Sequence, residues 1–187
     1  MAAIDNIMTT LNLQLSSIQG VSQQIIFNVG DDCFGLDILD IREIIRYQNP
    51  TKVPKAPEFV VGVINYRGEI IPVINLDVIF GLPDDRKYTV IVVVETGEKL
   101  YGLLVDNVLD IVSFESEQVQ ELPEFSRNEK TKFLQSVAKL EQGMVLMMDV
   151  DKLIDFKAVE ATMDKIRSRN EKSLASKGKK VSEPLEK

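Results

Sequence analysis

The sequence holds no histidine, no tryptophan and a single cysteine in 187 residues. Without histidine there is no Ser-His-Asp or Cys-His nucleophile system, no His-ligated zinc and no imidazole base. One thiol, Cys33, makes neither an internal disulfide nor a cysteine-only zinc site. It reads as a small apolar residue in a strand. No GxxxxGK[ST] loop, no GxGxxG after a strand and no D-[ST]-G occurs. No cofactor or metal is therefore expected. No apolar run approaches the ~18 residues that span a bilayer, so direct membrane insertion is not expected either. The opening twenty residues lack the basic start and apolar block of a secretory signal, which points to the cytosol.

Positive charge is also short. Acidic residues number 29 against 22 basic ones, a net charge of −7. Such a chain repels phosphate backbones, and nucleic acid is not an expected partner. Four tyrosines and eight phenylalanines form no recognisable stacking row, which argues against an oligonucleotide-binding barrel. The basic residues collect in "KIRSRNEKSLASKGKK" near the C-terminus, expected to be a solvated tail. Among the many acids, Asp106 and Asp110 stand four apart. They are the residues an alternative reading, a carboxylate enzyme or small-ligand binder, would use, although such acids more often stud a solvent-facing loop.

What the chain does have is a repeat. "IIFNVGDDCFGLDILDIREII" from Ile25 aligns at a shift of 67 with "VVVETGEKLYGLLVDNVLDIV" from Val92. Gly30 meets Gly97, Gly35 meets Gly102, Phe34 meets Tyr101, Ile41 meets Val108 and Glu43 meets Asp110. A second block, "GVINYRGEIIPVINL", repeats at a shift of 74: Phe59 meets Phe133, Val63 meets Val137 and Asn75 meets Asp149. The seven extra residues fall in "ELPEFSRNEKT", where an insertion is cheap. Asn75 and Asp149 are each placed to N-cap a short helical turn. Short apolar runs around glycine turns predict an all-β fold of two small barrels, each of about five strands. A barrel this small is filled by its own side chains, so sites lie outside it or where two barrels meet. "DILDIREIIR" fits either period, but its β-branched content favours a strand. The expected division is a mobile segment over 1–22, a first barrel over 23–86, a second over 87–156, and a helix or disordered tail over 157–187, with "AVEATMDKIRSRNEKSLASK" a weak helix candidate.

A duplication supplies its own control, because what folding needs should appear twice. The first hairpin tip reads Asn65-Tyr66-Arg67-Gly68 and the second Lys139-Leu140-Glu141-Gln142. The arginine is thus not demanded by the barrel. Gly62 becomes Ser136, so close backbone approach is expected in copy one alone. Taken singly, Arg67 is an ordinary solvated turn residue, Glu43 a strand-edge charge that discourages aggregation, and Ile41 core.

The segments "FGLDILDIREII", "VPKAPEFVVGVINYRGEIIPVINL" and "YGLLVDNVLDIV", in this order, resemble the CheW family of bacterial chemotaxis coupling proteins over about residues 23–155. The resemblance implies two SH3-like five-stranded barrels related by duplication. It implies a non-enzymatic adaptor linking the cytoplasmic tips of methyl-accepting chemoreceptors to the regulatory domain of the histidine kinase CheA, in the cytoplasm at membrane receptor arrays. The receptor-contact positions it implies are Ile41, Glu43, Gly62 and Arg67. The duplication adds Val108, the partner of Ile41, as a second wall of an apolar groove between the barrels. Kinases and receiver-domain fusions share the signature, and the short tail is expected to mark a stand-alone adaptor.

Overall fold

Glycine turns at Gly30 and Gly97, both at positive φ, reverse the chain after an apolar run, and the runs on either side pair as hairpins. The computed structural model describes residues 2–17, 23–83, 85, 87–123, 128–129, 131–141, 143–153 and 155–180. In chain order these form α1 (Ala2–Ser17), β1 (Gln23–Val29), β2 (Asp32–Asp37), β3 (Ile41–Arg46), β4 (Val60–Tyr66) and β5 (Glu69–Asn75). There follow α2 (Leu76–Phe80), β6 (Val90–Thr96), β7 (Lys99–Val105), β8 (Asn107–Ser113), β9 (Val119–Glu121), β10 (Leu134–Leu140), β11 (Gly143–Met148) and α3 (Phe156–Lys180). The 67 shift carries β1–β3 onto β6–β8, and the 74 shift carries β4 and β5 onto β10 and β11. The caps repeat as well. Asn75 Oδ1 accepts from the Asp77 N–H at 2.9 Å, and Asp149 Oδ1 from the Asp151 N–H at 3.0 Å.

The strands make two SH3-like barrels. One sheet runs β3-β6-β7-β5-β4, the other β8-β1-β2-β11-β10-β9. These orders are the same once repeat partners are exchanged, with β9 as an added sixth strand. The order corrects the boundaries 23–86 and 87–156. Each barrel takes its first hairpin from one copy and its third strand and second hairpin from the other. The five-stranded barrel is continuous, Ile41 to Val105; the six-stranded barrel is interrupted by it, using β1 and β2 and then β8–β11. The chain crosses between barrels at the turn Ile38–Asp40 and again at Asp106, which are repeat-equivalent. Hairpins of equal length and the same apolar alternation fit either third strand, so periodicity alone did not say which they would join.

The largest apolar core runs through both barrels, from Ile25, Phe27 and Leu36 to Ile44, Val92 and Leu103, and each barrel has a smaller one, around Ile71 and Val93 in the five-stranded and around Ile26 and Val145 in the six-stranded. A row of stacked rings crosses it. Phe27 to Phe34 is 6.1 Å, Phe34 to Phe80 on α2 4.6 Å, and Phe80 to Phe133 5.1 Å between centroids. Cys33 lies in β2, half-buried, with Sγ donating to Asn28 Oδ1 at 3.3 Å.

Both flanks are more ordered than expected. In place of a mobile segment, α1 docks on β3: Leu11 is buried, and the Asn12 amide bonds both backbone groups of Ile44 at 3.1 Å. Apolar residues at 4, 7, 8, 11 and 15 carry the helical period that would have identified it. α3 buries Val159 and Met163 and sets Phe156 against Tyr101, the rings tilted with centroids 4.7 Å apart. Glu160 accepts from Tyr101 at 2.9 Å and pairs with Lys99. Burial, then this carboxylate, pushes the Tyr101 phenol far up. Of the helix or disordered tail expected over 157–187, the described part is helix as far as Lys180; 181–187 lie outside the described residues.

Candidate functional site

Tyr66 faces Glu69 across the β4–β5 pair, leaving a two-residue loop, Arg67-Gly68. Both loop residues have positive φ, 50° and 86°, the mirror-image turn that matches strand twist. Its first position suits asparagine or glycine; a long side chain there is held in a sparsely populated conformation. Asn65 Oδ1 steadies the loop by accepting from the Gly68 N–H at 2.9 Å.

Arg67 meets Glu43. The guanidinium lies 2.8 Å from Glu43 Oε2 with its side chain 73% exposed. The Tyr66 hydroxyl donates to the same oxygen at 2.6 Å. Arg67 Cζ stands 5.5 Å from the centre of the Tyr66 ring, a cation–π contact. Burial, followed by the bond to Glu43 and its charge, pushes Tyr66 up to about 12, so it remains a donor. Glu43 in turn raises the Arg67 guanidinium further. Glu43, Tyr66 and Arg67 join the two edge strands of the five-stranded barrel, β3 and β4.

The rest of that seam explains Gly62. Beyond β3, Thr51 pairs with Val63 of β4 through two backbone bonds of 2.8 Å. A Cβ on Gly62 would lie 2.3 Å from the Thr51 carbonyl oxygen. The close approach expected in copy one is present, and it is to the chain's own backbone. In copy two the corresponding seam is closed by β9, which pairs with Ser136, Val137 and Ala138 of β10. There the triad becomes Asp110, Leu140 and Glu141, with no cation.

Of the five sequence-derived positions, the structure brings Glu43 and Arg67 together and places Gly62 a few residues along the same strand pair. Ile41 and Val108 are 8% and 5% exposed and belong to the core, Ile41 opposite Val94 and Val108 opposite Phe27. That placement does not fit their expected role as groove walls. Tyr66 was passed over, although its replacement by Leu140 in copy two was a signal of the same kind as that of Arg67.

The open surface beside the triad is a groove of about 780 Å³ between α1, β3 and the hairpin tip. Its lining carries two ion pairs, Glu43–Arg67 and Asp5–Arg46, together with Met8, Tyr47 and Tyr66. The alternative carboxylate pair is not assembled. Asp106 Oδ2 accepts from the Gly30 N–H at 2.7 Å, fixing the crossover to the β1–β2 turn, while Asp110 Oδ1 accepts from the Ile111 N–H. No cluster of metal-ligating residues occurs among the described residues. Nor is any helix among them long and apolar enough to cross a membrane.

Residues 23–158 match the family model of the CheW-like domain. The chemotaxis protein CheW of Klebsiella aerogenes is 36% identical over 133 residues, 70% of this chain and 80% of that protein. That of Thermotoga maritima is 34% identical over 133 residues, 69% of this chain and 85% of its own. Among solved structures, the scaffolding protein TtCheW from Thermoanaerobacter tengcongensis superposes with a TM-score of 0.66. It is 30% identical and covers 73% of this chain and 94% of its own.

Proposed function

The chain belongs to the CheW-like domain family of chemotaxis scaffold proteins, and from that premise we propose that it couples chemoreceptors to a histidine kinase. It binds the cytoplasmic tip of a methyl-accepting chemoreceptor and the regulatory domain of the kinase CheA at once, in the cytoplasm at receptor arrays. It performs no reaction of its own. Signal passes as a change in contact geometry, which requires different affinities for two receptor states.

The observation that carries the receptor assignment is the triad in copy one. Arg67 is held in an unfavourable turn conformation and largely exposed, next to an open groove, and copy two lacks it. Arg67 and Glu43 then contact polar groups near the receptor tip, while Gly62 keeps the seam closed beneath them. Ile41 and Val108 act from the core by holding β3 and β8 in place.

The test is co-purification of the chain with a receptor cytoplasmic fragment and the kinase, together and separately. A ternary complex that stimulates kinase activity is the expected result. Failure to bind either partner, with the chain folded, would refute the coupling role.

A further inference from the structure

We propose that α1 forms the second wall of the receptor-docking groove and selects which partner helix enters it. This rests on the receptor-docking reading above. α1 lies outside residues 23–158, the stretch that matches the family model, yet it borders the surface where Glu43, Tyr66 and Arg67 meet. Asp5, Met8, Thr9 and Asn12 all face the groove.

The occupant is helical, and Asn12 is the reason. β3 is the edge strand of its sheet, so its outward backbone groups are open to an added strand. At Ile44 they are already taken. The Asn12 Nδ2 group donates to the Ile44 carbonyl at 3.1 Å, and the Ile44 N–H donates to Asn12 Oδ1 at 3.1 Å. An extended peptide would have to displace this amide. A helix satisfies its own backbone groups and needs only side-chain contacts. The groove offers these: its lining carries the half-buried Met8, the exposed Tyr47 and the two ion pairs. Asp5 of α1 holds Arg46 of β3, while Arg67 holds Glu43, so a partner helix must carry charges that suit both pairs beside its apolar contacts. Asp5, Met8 and Thr9 lie outside the family-matched stretch, so α1 adds a wall that the matched domain itself does not supply.

The experiment compares full-length wild type, Thr9→Arg, Asp5→Lys and Arg67→Glu, each confirmed folded by thermal melting. Thr9 and Asp5 are exposed, so the fold should tolerate both changes. Affinity is measured for a receptor cytoplasmic fragment and, separately, for the kinase regulatory domain. The expected result is a loss of tenfold or more in receptor affinity for each α1 variant, with kinase affinity unchanged. Wild-type receptor affinity in both α1 variants, while Arg67→Glu binds poorly, overturns the role of α1 and leaves the docking site standing. A gain in receptor affinity also overturns it, because α1 would then be a cover over the groove. Wild-type receptor affinity in Arg67→Glu removes the docking site, and the α1 inference falls with it.

Discussion

Arg67 is a side chain whose local cost and whose exposure point the same way. An asparagine at 67 adopts the turn more readily, and a surface ion pair contributes little to folding. Arg67→Asn is therefore expected to melt no lower than wild type. Arg67→Glu places an acid beside Glu43, as copy two already does with Asp110 and Glu141, and should also fold. Both should bind a receptor fragment at least tenfold more weakly, as titration calorimetry would show. Ile41 is the opposite case. Its side chain lies in the core, so Ile41→Asp buries an unpaired carboxylate and should lower stability by roughly 3–5 kcal/mol. A melting temperature within a few degrees of wild type would restore Ile41 to the surface. The contrast shows what the sequence could tell at this scale. A residue present in one copy and absent from the other was readable as dispensable for folding. Whether an isoleucine on an alternating strand faces the core or a groove depends on the far side of the sheet, which no local pattern records.

At the scale of elements, the crossover turn Ile38–Asp40 sits in an acidic surrounding. Burial, then Asp37, Asp151 and Asp149, raises Asp40 from its ordinary 3.8 to about 6. The folded state thus binds this proton more tightly than the unfolded chain. The contribution of Asp40 to stability is greatest below about pH 4 and is lost as pH rises through 6. Asp40→Asn removes the loss. A rise from 3.8 to about 6 corresponds to about 3 kcal/mol, which solvent screening at this half-exposed site reduces to about 1 kcal/mol. Denaturation at pH 7.5 should show the variant more stable by that amount, and the gain should vanish near pH 4. A gain that persists unchanged at pH 4 would rule out the electrostatic cause. α3 behaves differently along its length. Val159, Met163 and Ile166 pack on the barrels, whereas residues 167–177 are exposed throughout. Removing 170–187 should change stability by no more than about 0.5 kcal/mol. It should leave kinase stimulation nearly intact at both low and moderate ionic strength in a reconstituted receptor–kinase mixture. Loss at both would make the basic end a specific binding element. The sequence marked this helix only weakly because its second half is charged all round; α1 was legible in the spacing of Ile4, Ile7, Met8, Leu11 and Leu15, a period set among polar residues that gave no sign of what it docks on.

The whole molecule is two barrels that cannot be separated by cutting the chain once. The strand pattern and the duplication were legible residue by residue, down to the paired caps at Asn75 and Asp149. Their exchange was not, since the identity of a hairpin's neighbour is decided by crossover turns that look alike in both copies. Exchange has an energetic consequence. The six-stranded barrel closes only when β1 and β2 meet β8 and β11, across the entire five-stranded barrel between them in sequence. The core is shared, and Phe34 stacks directly on Phe80 of the element that follows β5. Each barrel keeps a smaller cluster of its own, but unfolding either one exposes the largest core of both, so the chain should unfold in one transition, with fluorescence and circular dichroism curves coincident. Phe34→Ala tests the coupling. It removes a buried ring from the stacked row and should cost about 3–5 kcal/mol. The loss should appear as one shifted transition in both probes. If the variant instead melted in two steps, the five-stranded barrel persisting above the other, the shared core would not be what holds the pair together, and the continuous segment from Ile41 to Val105 would be a domain in its own right.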